Sequence, residues 1–447
     1  MVTTFSSFLT PFMGSSINIA LPSISKEFAL NAVALSWVAT SYLLATAMFL
    51  LPFGKLADIH GRKKIFTYGI LIYTLSSFIC SISGSAILLI GSRILQGIGS
   101  AMIFSTGVAI LTAVFPEQER GKALGINVAA VYLGLSLGPF LGGFLTQQFG
   151  WRSIFVANLL IGLVTIFMVL WKLKGEWAEA KGEQFDFTGS IMYSLALIAI
   201  MYGFSMLPKI SGFGLIIVGI LGIMLFMNQE IRIEHPVLNI KLFRDNAVFA
   251  FSNLAALINY SATSAVGFLL SLYLQYIKGF SPQIAGLILV SQPIIMTIFS
   301  PFAGRLSDRI EPRIVASIGM VITVPGLLLL TFLNEKTSTG FIIASLILLG
   351  FGFALFSSPN TNAIMSSVEK KSYGVASATL ATMRLIGQMM SMGIAMLILA
   401  IYLGKVQITP AYYKLFLISM KITIAIFSVL CFGGIFASLA RGKVRCP

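Results

Sequence analysis

Two short stretches gather much of the chain's charge: GKLADIHGRKK at residues 54–64 and GRLSDRIEPR at 304–313. Each sets a glycine, an aspartate and several Lys/Arg between long apolar runs. Glycine permits a sharp turn, and an aspartate there can cap the next helix or pair with a base. Gly54, Asp58, Gly61, Arg62 and Lys63, with Gly304 and Asp308, are therefore expected to latch a conformation rather than to catalyse. A second set lies inside the apolar runs: Arg93, Gln96, Asn18, Asn127, Arg384 and Gln388. Inserting an arginine at bilayer depth costs about 2.5–3.5 kcal/mol, so each must face a wet cavity or a partner. Arg93 and Gln96, three residues apart, share one helical face with Gly97 close by. Two cavity-lining arginines would leave the cavity positive and favour an anionic or zwitterionic substrate over a lipophilic cation.

Enzyme chemistry has no foothold. Cys80, Cys431 and Cys446 lie far apart without CxxC spacing and suggest neither a disulfide framework nor a metal site. GLSLG at 134–138 fits G-x-S-x-G, but a nucleophile elbow needs a strand before it and a histidine partner, and His60 and His235 fall in loops. No G-x-x-x-x-G-K-[ST] cradle exists, so transport energy would come from a gradient or a partner ATPase. No cofactor is expected.

The elements that must position these residues are membrane spans. The chain is 57% hydrophobic and 10% charged, with mean hydropathy +0.94, the composition of a polytopic, all-helical membrane protein. Crossing a bilayer takes about 20 apolar residues. That length yields fourteen spans: 2–22, 34–54, 65–83, 86–114, 123–146, 152–171, 187–207, 212–229, 247–272, 282–303, 314–333, 338–358, 374–404 and 412–440. The polar SISGSA break separates the third from the fourth. Residues 1–25 carry no charge, so the first stretch reads as a retained helix and not a cleaved signal.

Of the 30 Lys/Arg, twenty fall in loops after even-numbered spans or in the C-terminal tail, against seven in the opposite loops. This bias puts both termini in the cytoplasm and explains the +15 net charge without nucleic acid. Thirteen of the 15 carboxylates, Glu230 among them, then fall in cytoplasmic loops, with Glu27 and Glu335 outside and none in a span. The two clustered stretches follow spans two and ten, a displacement of eight where a six-helix repeat would give six. Two spans are therefore inserted between the halves. The expected layout is a six-helix bundle at 1–171, an inserted pair with its linkers at 172–246, and a second six-helix bundle with a short tail at 247–447. Parallel halves of this kind are the architecture of alternating access.

These residues resemble the major facilitator superfamily, and within it the fourteen-helix drug:proton antiporter branch. GKLADIHGRKK is similar to its loop 2-3 signature, SRILQGIGSA (92–101) to its fourth-helix motif, and GLSLGPFLGG (134–143) to its antiporter motif. The antiporter motif is carried by Gly134, Gly138, Pro139, Gly142 and Gly143, whose four-residue glycine spacing permits close helix approach. ERGKALG (119–125), FGWRSIFVAN (149–158) and EHPVLNIKLF (234–243) also resemble that branch. In MGSSINIALP (13–22), Met13 stands where the branch commonly has Asp.

The resemblance implies a monomeric plasma-membrane exporter that exchanges a small amphipathic compound or drug for protons. Two alternatives follow from the missing intramembrane acid and from the membrane character itself. One is an exporter of an anionic or lipid metabolite, or a uniporter, without proton coupling. The other is a transport-inactive receptor or assembly partner.

Overall fold

A computed structural model describes residues 2–442 of the protein, except 116, 174, 179, 234, 235, 239, 370–372 and 405; for residues 117–124 it describes the backbone alone. The regular elements of the described residues are all helices, without a strand. The family-like stretch 119–125 lies largely outside the described side chains, and 234–243 is described only in part.

Contacts divide the chain into two compact units, one of residues 1–30 and 34–239, the other of 31–33 and 240–447. The first unit contains α1 (Val2–Phe28), α2 (Ala32–His60), α3 (Arg62–Ser81), α4 (Ala86–Val114), α5 (Glu117–Phe149), α6 (Arg152–Lys172), α7 (Phe187–Met206) and α8 (Ile210–Arg232). The second contains the short α9 (Ile240–Asp245), α10 (Ala247–Thr263), α11 (Val266–Leu272), α12 (Pro282–Leu289), α13 (Ser291–Arg309), α14 (Pro312–Leu330), α15 (Thr339–Ser366), α16 (Tyr373–Tyr402) and α17 (Tyr413–Ala440). Among the described residues, thirteen helical spans are long and apolar enough to cross a membrane. Beside them α1 has 27 residues, about 40 Å of helix, which suffices by length.

The expected spans match these helices to within a few residues at most ends, because a long apolar run must satisfy its backbone internally once it leaves water. Polar side chains mark where helices start. Ser85 accepts the Leu88 N–H after the SISGSA break, Asp186 accepts that of Gly189 at the start of α7, and Asn246 accepts that of Phe249 at the start of α10. The ninth expected span is one path with a break: α10, then α11, then a π-helical turn at Tyr273–Ile277.

Packing is set by glycines. A Cβ at Gly134 would stand 2.6 Å from the Phe8 carbonyl oxygen, and one at Gly138 would be 2.9 Å from that of Phe12. A Cβ at Gly142 would stand 2.8 Å from Ser16 Cβ. The three residues recur every four positions along α5, so one bare stripe lies against α1, and Ser16 Oγ donates into it to the Gly138 carbonyl at 2.9 Å. The second unit repeats the device: a Cβ at Gly319 of α14 would meet the Gly352 carbonyl of α15 at 2.6 Å. The α7–α8 pair is joined in the same manner, through Gly203, Gly212 and Gly219. It is tied to α2 by Tyr193, whose hydroxyl donates to the Ala47 carbonyl at 3.1 Å.

Candidate functional site

Arg93 on α4 is 1% exposed, and its partners come from neighbouring helices and its own. Its Nε donates to the Val38 carbonyl of α2 at 3.1 Å, and Nη1 donates to Gln96 Oε1 at 2.5 Å. Gln96 Nε2 donates to Ser77 Oγ of α3 at 2.8 Å, and Asn158 Nδ2 of α6 reaches the same hydroxyl at 3.1 Å. The guanidinium lies over the Tyr42 ring, 4.4 Å from its centroid, and the Tyr42 hydroxyl is 2.7 Å from Ser100 Oγ. One buried cation thus ties four helices together through neutral partners, with a ring face supplying part of the missing counter-charge. The fourth-helix glycine completes the fit, since a Cβ at Gly97 would stand 2.5 Å from the Tyr42 carbonyl oxygen.

In the second unit Arg384 on α16 is only half-buried. Its Nη2 donates to Thr361 Oγ1 of α15 at 2.7 Å, and its guanidinium lies 5.6 Å from the Tyr260 ring of α10, while Nε has no partner. Gln388, one helical turn on, is also half-buried and shares the face. This is the less satisfied of the two arginines. A third, Arg441, follows the last span in the sequence and is fully buried at the end of α17. It donates from Nε to the Ser438 carbonyl at 2.7 Å, from Nη1 to Asn360 Oδ1 at 2.8 Å and to Ser252 Oγ at 3.2 Å, and from Nη2 to Ser438 Oγ. Burial draws its guanidinium down to about 10, helped by Arg313, so it stays charged at neutral pH.

The first clustered stretch is gripped by the linker between α6 and α7. Arg62 is 7% exposed and pairs with Asp58 Oδ1 at 2.8 Å. Its backbone N–H donates to the Trp177 carbonyl at 2.8 Å, and that of Ala180 donates to the Asp58 carbonyl at 2.9 Å. Glu176 Oε1 accepts from the Lys63 N–H at 2.8 Å, and Lys55 pairs with Glu183 at 2.5 Å. Gly61 has φ +112°, and a Cβ there would run into the Glu176 side chain, so this turn needs glycine twice over. In the second stretch Asn362 Nδ2 of α15 donates to Ser307 Oγ at 2.9 Å and to Asp308 Oδ1 at 3.2 Å. A Cβ at Gly304 would lie 3.0 Å from Ser358 Oγ.

Of the remaining sequence candidates, Asn127 of α5 accepts from Ser7 Oγ of α1 at 2.7 Å, and Asn18 is half-buried on α1. Pro139 and Gly143 lie within α5, and Gly143 is buried. Met13 is completely buried. Glu230 departs from expectation. Placed by sequence in a cytoplasmic loop, it belongs to the last turn of α8 and is 2% exposed, because the helix runs on to Arg232 and the following chain folds back over it. Buried ionisable groups are therefore not confined to guanidinium groups, and the sequence carries no signal for this beyond a longer α8.

A family model described as Major Facilitator Superfamily matches residues 3–229 and 253–443. The chain belongs to the Major Facilitator Superfamily. This major facilitator protein is 32% identical over 380 residues to the riboflavin transporter RibZ of Clostridioides difficile, covering 84% of this chain and 82% of that one. It is 32% identical over 394 residues to the multidrug resistance protein Stp of Mycobacterium tuberculosis, covering 87% and 73%. Its fold matches a crystal structure of a bacterial homolog of the human lysosomal transporter Spinster, inward-facing and unoccupied, with TM-score 0.69 over 98% of this chain and 95% of that one; at 15% identity this shows the fold alone. The major facilitator protein is thus a multi-pass membrane transporter and not an enzyme.

Proposed function

We propose that this protein is a secondary active exporter that moves a small amphipathic compound by alternating access in exchange for protons. In this reading it works as a monomer in the plasma membrane with both termini in the cytoplasm, and the Lys/Arg bias supports that orientation. The observation that carries export is the 32% identity, over 87% of the chain, to a relative named for multidrug resistance. Arg384 and Gln388 are the substrate contacts: a half-buried guanidinium with one unpaired N–H beside an aromatic ring suits a carboxylate or enolate on a flat molecule. Arg93 and Gln96 act by holding α2, α3, α4 and α6 in register. The linker-gripped stretch at Gly54–Lys63 gates the cycle, with Gly304 and Asp308 its counterpart, and the α1–α5 glycine contact is the sliding surface.

One observation favours a second reading, export or facilitated passage of an anion without protons: Met13 is apolar and buried where the branch commonly carries an acid. Flux of cationic, zwitterionic and anionic fluorescent dyes into proteoliposomes tests the site. Arg384→Ala is expected to abolish anionic and zwitterionic flux and spare cationic flux. Equal flux of all three dyes by wild type and variant would remove Arg384 from the substrate path.

A further inference from the structure

Glu230 is, among the described residues, the one carboxylate that is fully buried. Its Oε2 accepts the Leu238 N–H at 2.7 Å, and its Oε1 has no donor. Its neighbour there is Asp186, the cap of α7. Both oxygens crowd the point where a Cβ of Gly189 would stand: Glu230 Oε1 is 2.8 Å from that point and Asp186 Oδ2 is closer still. Asp186 Oδ1 meanwhile accepts from Gly189 N at 2.9 Å, and Gln229 Nε2 donates across both oxygens, at 3.4 Å to Oδ1 and 3.5 Å to Oδ2. Two carboxylates are acceptors only, and a facing pair in a buried site cannot both stay ionised. No lysine or arginine pairs with either group among the described ion pairs: Lys55 is engaged with Glu183, and Arg232, two residues beyond Glu230, is exposed.

We propose that Glu230 and Asp186 form a proton-binding site, with one proton carried on Glu230 Oε1 and hydrogen-bonded to Asp186 Oδ2. The proton balances the pair at a single negative charge, which the N-terminus of α7 and the Leu238 N–H stabilise. Asp186 is half-buried, so the proton exchanges with water through it while Glu230 stays enclosed. Gly189 is required because any side chain there would wedge the two carboxyls apart. The site lies on the α7–α8 pair. It deepens the proton-exchange reading, but its test needs no substrate, so failure of transport and failure of the site are distinguishable.

The test is infrared spectroscopy of the purified full chain in lipid nanodiscs at neutral pH, with melting curves from about pH 5 to about pH 9. Wild type is expected to show the C=O stretch of a protonated carboxyl, absent from Glu230→Gln. Its melting temperature is expected to fall as pH rises, since losing the shared proton leaves two facing carboxylates. Glu230→Gln keeps a donor toward Asp186, and Asp186→Asn keeps the cap of α7; both are expected to flatten that fall. A wild-type spectrum without the band, a band that persists in Glu230→Gln, or variant melting profiles that parallel wild type would overturn the proposal.

Discussion

The backbone N–H of Lys63 donates to Glu176 Oε1 at 2.8 Å, joining residues 113 positions apart in the chain. The carboxylate stands at the first turn of α3, where the helix presents unpaired N–H groups and partial positive charge. With Trp177, Ala180 and Glu183 it makes the linker a strap over the Gly54–Lys63 stretch. Glu176→Gln should lower stability by about 0.3–1 kcal/mol at low ionic strength, with the difference shrinking as salt is added. Melting curves at low and high salt measure this, and a deficit independent of salt would mean the contact is not electrostatic.

Gly61→Ala is expected to be worse than Glu176→Gln, since it combines a left-handed backbone with a Cβ in the Glu176 side chain. A non-glycine residue in that conformation costs roughly 1–2 kcal/mol before any clash. The double variant Gly61→Ala with Glu176→Gly should recover only the steric part. Full recovery would show that backbone strain contributes nothing.

The α1–α5 contact predicts a graded response. Gly138→Leu must push α1 away from α5, with a loss of about 1–3 kcal/mol or more and a matching fall in transport. Gly107→Ala on α4 serves as the control, because a Cβ there meets nothing within 4 Å. Detergent-solubilised melting temperatures separate the two, and equal losses would disprove the packing role of the stripe.

Arg93→Lys is not a conservative change. An ammonium cannot span Val38, Gln96 and the Tyr42 ring together, so polar groups lose partners at about 1–3 kcal/mol for each one left buried and unsatisfied. Arg384→Lys, at a half-exposed site, should leave the melting temperature nearly unchanged. A larger stability loss at Arg384 than at Arg93 would reverse the assignment of the two roles.

Beyond the apolar part of α1, Glu27 accepts from Arg152 at 2.6 and 2.9 Å and from Trp151 Nε1 at 2.7 Å. The bond from Arg152 holds its carboxyl below the ordinary glutamate range. A depressed acid stabilises the folded state above its unfolded value and loses that contribution as pH falls through the folded one. Wild type should therefore lose more stability than Glu27→Gln on acidification below about pH 4.5, by a small amount because the pair is exposed. Parallel acid-melting curves would remove the pair from the stability of this end.

The helical layout was legible in the sequence because apolar length and polar breaks such as SISGSA dictate it without tertiary information. Arg93 and Gln96 were legible as neighbours because three-residue spacing places them on one face, but their partners on α2, α3 and α6 were not. Glu176 and Glu183 read as ordinary linker charges, since nothing local tells an acid that it will meet a helix N-terminus far away in the chain. The burial of Glu230 and Arg441 was not legible for the opposite reason. Charge at the end of an apolar run reads as solvated, yet α8 carries Glu230 inward and the turn after α17 folds Arg441 back onto Ser252 and Asn360.

Proton exchange is tested most directly by trapping a pH-sensitive dye inside proteoliposomes and adding substrate dye to one side in the absence of an imposed gradient. Exchange predicts that substrate entry drives protons out and turns the lumen alkaline, with a response lost in the presence of a protonophore. Substrate entry at an unchanged luminal pH would contradict it.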